Sequence, residues 1–217
     1  MAPVPPIKPL TGHAEFDSLI EAMAVAEDSD EAEEIQSQIW SRFGTEGAVF
    51  ISDMASFSST SRRSGVCQFL KLIYRARKII APIITSNRGV MLKCDADNCY
   101  AWFQSTDDAI KASIEMNVAL FESNDQVGLA EEIHLSVGID YGNVLLVGER
   151  EFFGDPVNTA SKLGEDLAGR AEVLVTERAL ATSTFELPEY AERMVARISG
   201  IEIEYVRVPM TSLAAAS

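Results

Sequence analysis

Val49-Phe50-Ile51-Ser52-Asp53-Met54-Ala55-Ser56-Phe57-Ser58 is the stretch whose reading decides the fold of this chain. Val49, Phe50 and Ile51 make an apolar, β-branched run of the kind that forms a buried strand. The run ends on one carboxylate, Asp53, and then turns small and polar. A carboxylate at the end of a buried strand, followed by a loop rich in backbone N–H groups, suits a cation and a phosphate chain. Gly89-Val90-Met91-Leu92-Lys93-Cys94-Asp95-Ala96-Asp97 repeats the pattern about 40 residues on. If the two strands pair, Asp53 and Asp97 converge on one cation. Taken alone, either stretch reads more simply as strand-end aspartates in solvent.

Upstream, residues 1–12 are proline-rich and read as irregular. From His13 to Phe43 the pattern is helical, with Phe16, Leu19, Ile20, Met23 and Ala24, then Ile35, Ile39, Trp40 and Phe43, at three- and four-residue steps. The acidic run Glu27 to Glu34 between them reads as a solvated face. Gly44 is a helix stop. This segment is either two helices packed on the domain or an interaction arm. Downstream, a strand over Ala48 to Asp53 leads to a helix over Ser61 to Ser86, which Pro82 should kink or interrupt. Asn87-Arg88-Gly89 turns into a hairpin, Val90 to Lys93 and Asn98 to Phe103. A helix over Ser105 to Ser123 follows, capped by Ser105. Ile133 to Ile139 and Asn143 to Val147 read as two strands around Asp140-Tyr141-Gly142. Pro156 to Leu167 is helical, Val173 to Val175 a short strand, and Ala191 to Val208 a terminal hairpin. This order predicts an α+β, ferredoxin-like β-α-β-β-α-β sheet with helices on one face. It divides the chain into an extension (1–44), a main domain (45–210) and a frayed tail (211–217).

Composition narrows the partners. The chain has 217 residues, 47% hydrophobic and 24% charged, enough for one domain with a sizeable core. A net charge of −15 argues against nucleic acid and against anionic membranes. No stretch of about 18 apolar residues exists, so no membrane span is expected. The start, Met1-Ala2-Pro3-Val4-Pro5-Pro6-Ile7-Lys8, lacks the basic and apolar regions of a signal peptide. Cys67, Cys94 and Cys99 are odd in number and lack C-x-x-C spacing, which points to free thiols in a reducing, cytoplasmic setting.

With a third element, Glu151-Phe152-Phe153-Gly154-Asp155-Pro156-Val157-Asn158-Thr159-Ala160-Ser161-Lys162-Leu163, the sequence resembles the catalytic domain of the class III adenylate and guanylate cyclases. The resemblance covers roughly Gly47 to Thr182, with three motifs in the family's order and at about its spacing. It implies cyclisation of a nucleoside triphosphate, with ATP giving 3′,5′-cyclic AMP and pyrophosphate. It implies two divalent cations, Mg²⁺ or Mn²⁺, on the positions matched by Asp53 and by Asp97, four residues after Lys93. The turn Met54, Ala55, Ser56, Phe57, Ser58 would offer backbone donors to the phosphates. Lys93 and Glu151 fall where the family reads the base. A lysine at the first position points to ATP, whereas guanylate-specific members tend to pair glutamate with cysteine. Asn158 matches the residue that orients the ribose. Lys162 stands where arginine usually stabilises charge on the α-phosphoryl group.

The resemblance also implies a homodimer, with Asp53 and Asp97 from one subunit and Lys93, Glu151, Asn158 and Lys162 from the other. Four departures from the family pattern stand out. Ser136 occupies the place of a phosphate-binding arginine. Ile201 and Glu202 lie where a terminal-hairpin lysine would be, with Arg197 the nearby cation. Ala96 replaces the glycine before the second metal aspartate, and the hairpin between Gly142 and Gly154 is short. Three functions are compatible with this pattern: an active adenylate cyclase, a catalytically inactive nucleotide-binding or regulatory module, and a cyclase for another nucleotide.

Overall fold

The computed structural model describes residues 9–55, 65–128, 132–148, 150–198 and 200–210. Two helices come first, α1 (Ala14–Ala24) and α2 (Ser29–Phe43). Each has a side-chain cap, the His13 ring accepting from Phe16 N and the Asp28 carboxylate from Glu31 N. Then follow β1 (Gly44–Met54), α3 (Val66–Ser86), β2 (Gly89–Asp95), β3 (Asn98–Phe103) and α4 (Thr106–Asn124). β4 (Leu135–Val147), β5 (Glu151–Phe153) and α5 (Asp155–Ser161) lead into a π-helical turn (Lys162–Leu167). The chain continues through β6 (Glu172–Thr176), α6 (Glu177–Leu180), β7 (Glu192–Ile198) and β8 (Ile201–Pro209).

The strands form one sheet in the order β2-β3-β1-β4-β6-β8-β7, with β5 added to β4. Among the described residues only β4 and β6 pair in parallel. The β2-β3-β1-β4 half, with α3 and α4, is the ferredoxin-like β-α-β-β-α-β unit that the element order predicts. Phe50 and Phe103 pack with Ile80 and Ile84 of α3 and with Met116 and Leu120 of α4 on one face. The other face is covered too. Val49 and Ile51 pack with Val144, Phe152 and Ala160, which brings α5 onto the sheet. The expectation of helices on one face is thereby corrected. Ala48, Val49, Phe50 and Ile51 are all 0% exposed, and a strand apolar on both sides needs a layer on each.

Other differences have local reasons. Asp140-Tyr141-Gly142 is not a turn: β4 runs straight through it and pairs with β1 along its whole length, Gly47 opposite Gly142. Pro82 does not interrupt α3, because Ile80 and Ile84 on either side are buried and hold the last turns on the sheet. The cysteines are not all free thiols. Cys94 and Cys99 oppose each other across β2 and β3, Cα atoms 4.3 Å apart, and are joined as a disulfide, while Cys67 is free and exposed. Directly opposed residues of an antiparallel pair are close neighbours, which is what brings the two sulfurs together. Residues 61–64 of the expected helix and the tail from 211 lie outside the described residues.

The N-terminal helices pack on the domain. Phe16, Ile39 and Phe43 bury against Val147, and Phe16 stacks on Phe153 at 5.9 Å between centroids. Glu27 to Glu34 is largely solvated, as its composition suggests. Among the described residues no helix is long and apolar enough to cross a membrane.

Candidate active site

Asp53, next to last in β1, stands opposite Ser136 of β4, and the β2–β3 turn presents Asp97 beside it. Both carboxylates are half-buried. Burial, then the charge of Asp97 and a hydrogen bond between the two carboxyl groups, push Asp53 up to about 7. The negative charge of Asp97 opposes ionisation of Asp53, and a divalent cation between them would remove that opposition. Among the described residues no third His, Cys, Asp or Glu completes a metal cluster with them. Two hard oxygen donors and open positions fit Mg²⁺ or Mn²⁺ held jointly with phosphate oxygens. The turn that carries Asp97 is constrained. Ala96, where the family has glycine, adopts a left-handed φ of 48°. Arg77 of α3 reaches under it, Nη2 donating to the carbonyls of Cys94 (3.1 Å) and Ala96 (2.9 Å).

Lys93 and Glu151, which the sequence singles out in separate motifs, meet in the structure. Lys93 Nζ donates to Glu151 Oε2 at 2.8 Å. Phe152 anchors in the core under β1 and Phe153 in the cluster with Phe16, which fixes β5 and holds Glu151, at its start opposite Val147, within reach of Lys93. The two side chains stay 39% and 29% exposed, so the pair contributes little to stability and opens readily to a ligand. Lys93 also lies over the Tyr100 ring, 5.4 Å from its centroid.

α5 and the π-helical turn bring the remaining residues to the same face of the sheet. The turn lies directly on the backbones of β1 and β4. A Cβ on Gly138 would stand 2.5 Å from Gly164 N, and one on Gly164 would stand 2.7 Å from the Ile51 carbonyl oxygen. Asn158 is exposed and Lys162 half-buried, and neither side chain has a hydrogen-bond or ion-pair partner among the described residues. Glu165 is a carboxylate that the motifs do not reveal. It accepts from Ser161 Oγ (2.8 Å) and Tyr100 Oη (3.3 Å), and its charge reaches Asp53. The other missed residue is Arg178. It pairs with Asp140, fully buried in β4, and with Asp155 at 2.7 Å, so it ties the start of α5 to the sheet. The bonds to Asp140, then those to Asp155, raise the Arg178 pKa further. Nothing in the sequence pairs these residues, which lie 15 to 38 positions apart, although a buried Asp140 requires some such cation.

The expected phosphate donors fare differently. Ala55 N–H is committed to the His134 carbonyl at 2.9 Å, and Met54 belongs to β1, so neither matches the free backbone donor expected there. Ser56, Phe57 and Ser58 lie outside the described residues. Ser136 is buried and donates to the Gly169 carbonyl, so it does not face the cleft as a phosphate ligand. Arg197 stands opposite Glu202 on the exposed β7–β8 hairpin.

The model of the adenylate and guanylate cyclase catalytic domain matches residues 44–206. The chain belongs to this family. No curated protein sequence matches it. Solved structures of cyclases share the fold at low identity. The guanylyl cyclase Cya2 is 20% identical with a TM-score of 0.66, over 76% of this chain and 92% of that one. An adenylate/guanylate cyclase/hydrolase from Silicibacter pomeroyi is 22% identical with a TM-score of 0.66, over 76% and 96%. The adenylyl cyclase CyaB from P. aeruginosa is 16% identical with a TM-score of 0.63, over 76% and 95%. Adenylyl and guanylyl cyclases both stand among them, so this cyclase fold by itself does not select the base.

Proposed function

We propose that this cyclase domain converts ATP into 3′,5′-cyclic AMP and pyrophosphate, as a homodimer with sites between its subunits. The observation that carries the reading is that the fold brings Asp53 to Asp97 and Lys93 to Glu151, the two pairs that the resemblance assigns to cation and base. Asp53 and Asp97 would hold the divalent cations, which when bound would supply Lewis-acid activation of the ribose 3′-hydroxyl and neutralise the leaving pyrophosphate. The protein groups do the rest. Lys93 donates to adenine N1 and Glu151 accepts from the 6-amino group, once the base parts the ion pair. Asn158 orients the ribose. Lys162 places a positive charge by the α-phosphoryl group, without the planar fork of arginine. Both side chains are free of partners among the described residues and so available to a ligand.

A second reading is a nucleotide-binding module without turnover, and the burial of Ser136 where a phosphate cation would stand favours it. One experiment separates the two. Concentrated protein is incubated with ATP, GTP, CTP and UTP in turn, with Mn²⁺ or Mg²⁺, and products are read by mass. Cyclic AMP that disappears in Asp53→Ala supports the proposal. A different cyclic nucleotide overturns the ATP assignment, and no product from a confirmed dimer supports the module.

A further inference from the structure

We infer that Arg77 is a positioning residue for the cation site, acting through the turn that carries Asp97. The inference rests on the reading of Asp97 as a cation-holding carboxylate. The β2–β3 turn has a defect in its middle. Ala96 sits at φ 48°, a conformation that opposes a Cβ and that glycine adopts freely. Left to itself, a turn with alanine there prefers another backbone shape, and Asp97, the next residue, would swing with it.

The structure opposes that tendency from behind. Arg77 projects from α3, whose apolar face (Leu72, Ile73, Ala76, Ile80, Ile84) is buried in the core, so the guanidinium has a rigid base. Its Nη2 donates at once to Cys94 O and to Ala96 O, the carbonyls on either side of Asp95. A charged donor holding two carbonyls of one turn fixes the peptide planes, and with them the direction of Asp97. The Cys94–Cys99 crosslink closes the base of the same turn. Arg77 therefore touches neither nucleotide nor cation, yet sets where one of the two metal carboxylates points.

The test is Mn²⁺ binding to the full chain, followed by electron paramagnetic resonance of the free aquo ion without nucleotide. Arg77→Met keeps the aliphatic stem and removes the donors. It should weaken Mn²⁺ binding about tenfold, the scale of losing charged hydrogen bonds. In the cyclase assay the Mn²⁺ needed for half-maximal rate should rise by the same factor, while the rate at saturating Mn²⁺ changes little. Adding Ala96→Gly to Arg77→Met should recover most of the loss, because glycine accepts the turn without the clamp. A purely structural role would lower the melting temperature and leave Mn²⁺ affinity and the Ala96→Gly rescue unmoved, and that result overturns the inference. Asp97→Asn is the control. If it abolishes Mn²⁺ binding and Arg77→Met does not weaken it, only the positioning role fails. If Asp97→Asn leaves Mn²⁺ binding intact, the cation reading itself fails. Should Arg77→Met not fold, Arg77→Lys serves: a loss of two- to fivefold supports the inference, and no change overturns it.

Discussion

Gly138→Ala tests whether the packing under α5 sets the catalytic geometry. The new Cβ would fall inside the Ala160 carbonyl oxygen, 2.5 Å from Gly164 N and 2.8 Å from Leu163 Cβ, where ordinary contact begins at 3.4 Å. Two of the three obstacles are backbone, so no rotamer change relieves them. α5 and the π-helical turn must retreat from the sheet by roughly 1 Å. Overpacking of this kind typically costs 1–3 kcal/mol, and a backbone obstacle belongs at about 3 kcal/mol. At about 2–4 °C per kcal/mol for a chain of this size, the melting temperature should fall by about 6–12 °C. The same retreat carries Asn158 and Lys162 away from the cleft, and a misplacement of about 1 Å can cost about 10²-fold in rate. The assays are thermal unfolding by circular dichroism and cyclic nucleotide production at saturating substrate. Gly128→Ala is the control, since nothing lies within 4 Å of a Cβ there. A Gly138→Ala protein with wild-type melting temperature and rate would refute the claim that this contact positions the site.

Three further outcomes are expected. Lys162→Arg should raise turnover several-fold, because the planar fork gives two parallel bonds to a phosphoryl oxygen pair where ammonium gives a point charge; an unchanged or lower kcat argues against the role given to Lys162. Lys93→Glu combined with Glu151→Cys should move the ratio of kcat/KM values from ATP towards GTP, and an unchanged ratio would mean that the 2.8 Å pair does not read the base. His134, whose pKa is lowered chiefly by burial and then by the Arg170 charge against the pull of Glu132, concerns pH. A base with a lowered folded pKa binds fewer protons folded than unfolded, so its stability contribution is present above about pH 6.5 and is lost as pH falls through the folded value. Urea unfolding of His134→Gln should be less sensitive to pH between about 7 and 5 than the wild type; identical slopes would sink the assignment.

The fold was legible where the pattern was local. The apolar run at Val49 to Ile51, the Asn87-Arg88-Gly89 turn and the Ser105 cap each announce their element through neighbours in sequence. Asp53, Asp97, Lys93, Glu151, Asn158 and Lys162 could be singled out as candidates because they stand in short motifs, and the structure brings Asp53 to Asp97 and Lys93 to Glu151. The π-helical turn was not readable as such. Its residues look helical, and only the close approach of Gly164 to Ile51 and Gly138 gives the wider turn its reason. Nor was the Cys94–Cys99 bond, since a five-residue separation becomes a crosslink only when two strands pair in that register.

The sequence by itself determined which elements form and which side chains are the candidates for chemistry, because periodicity, capping and motif spacing act over a few residues. The tertiary structure alone decided that helices cover both faces of the sheet, that Ala55 N–H is already bonded within it, that Glu165 joins the cleft, and that Arg77 and Arg178 hold the turn and the helix that present the site. Those contacts join residues far apart in the chain. Their partners are chosen by register and by the depth at which backbones meet, and neither is written in any one stretch.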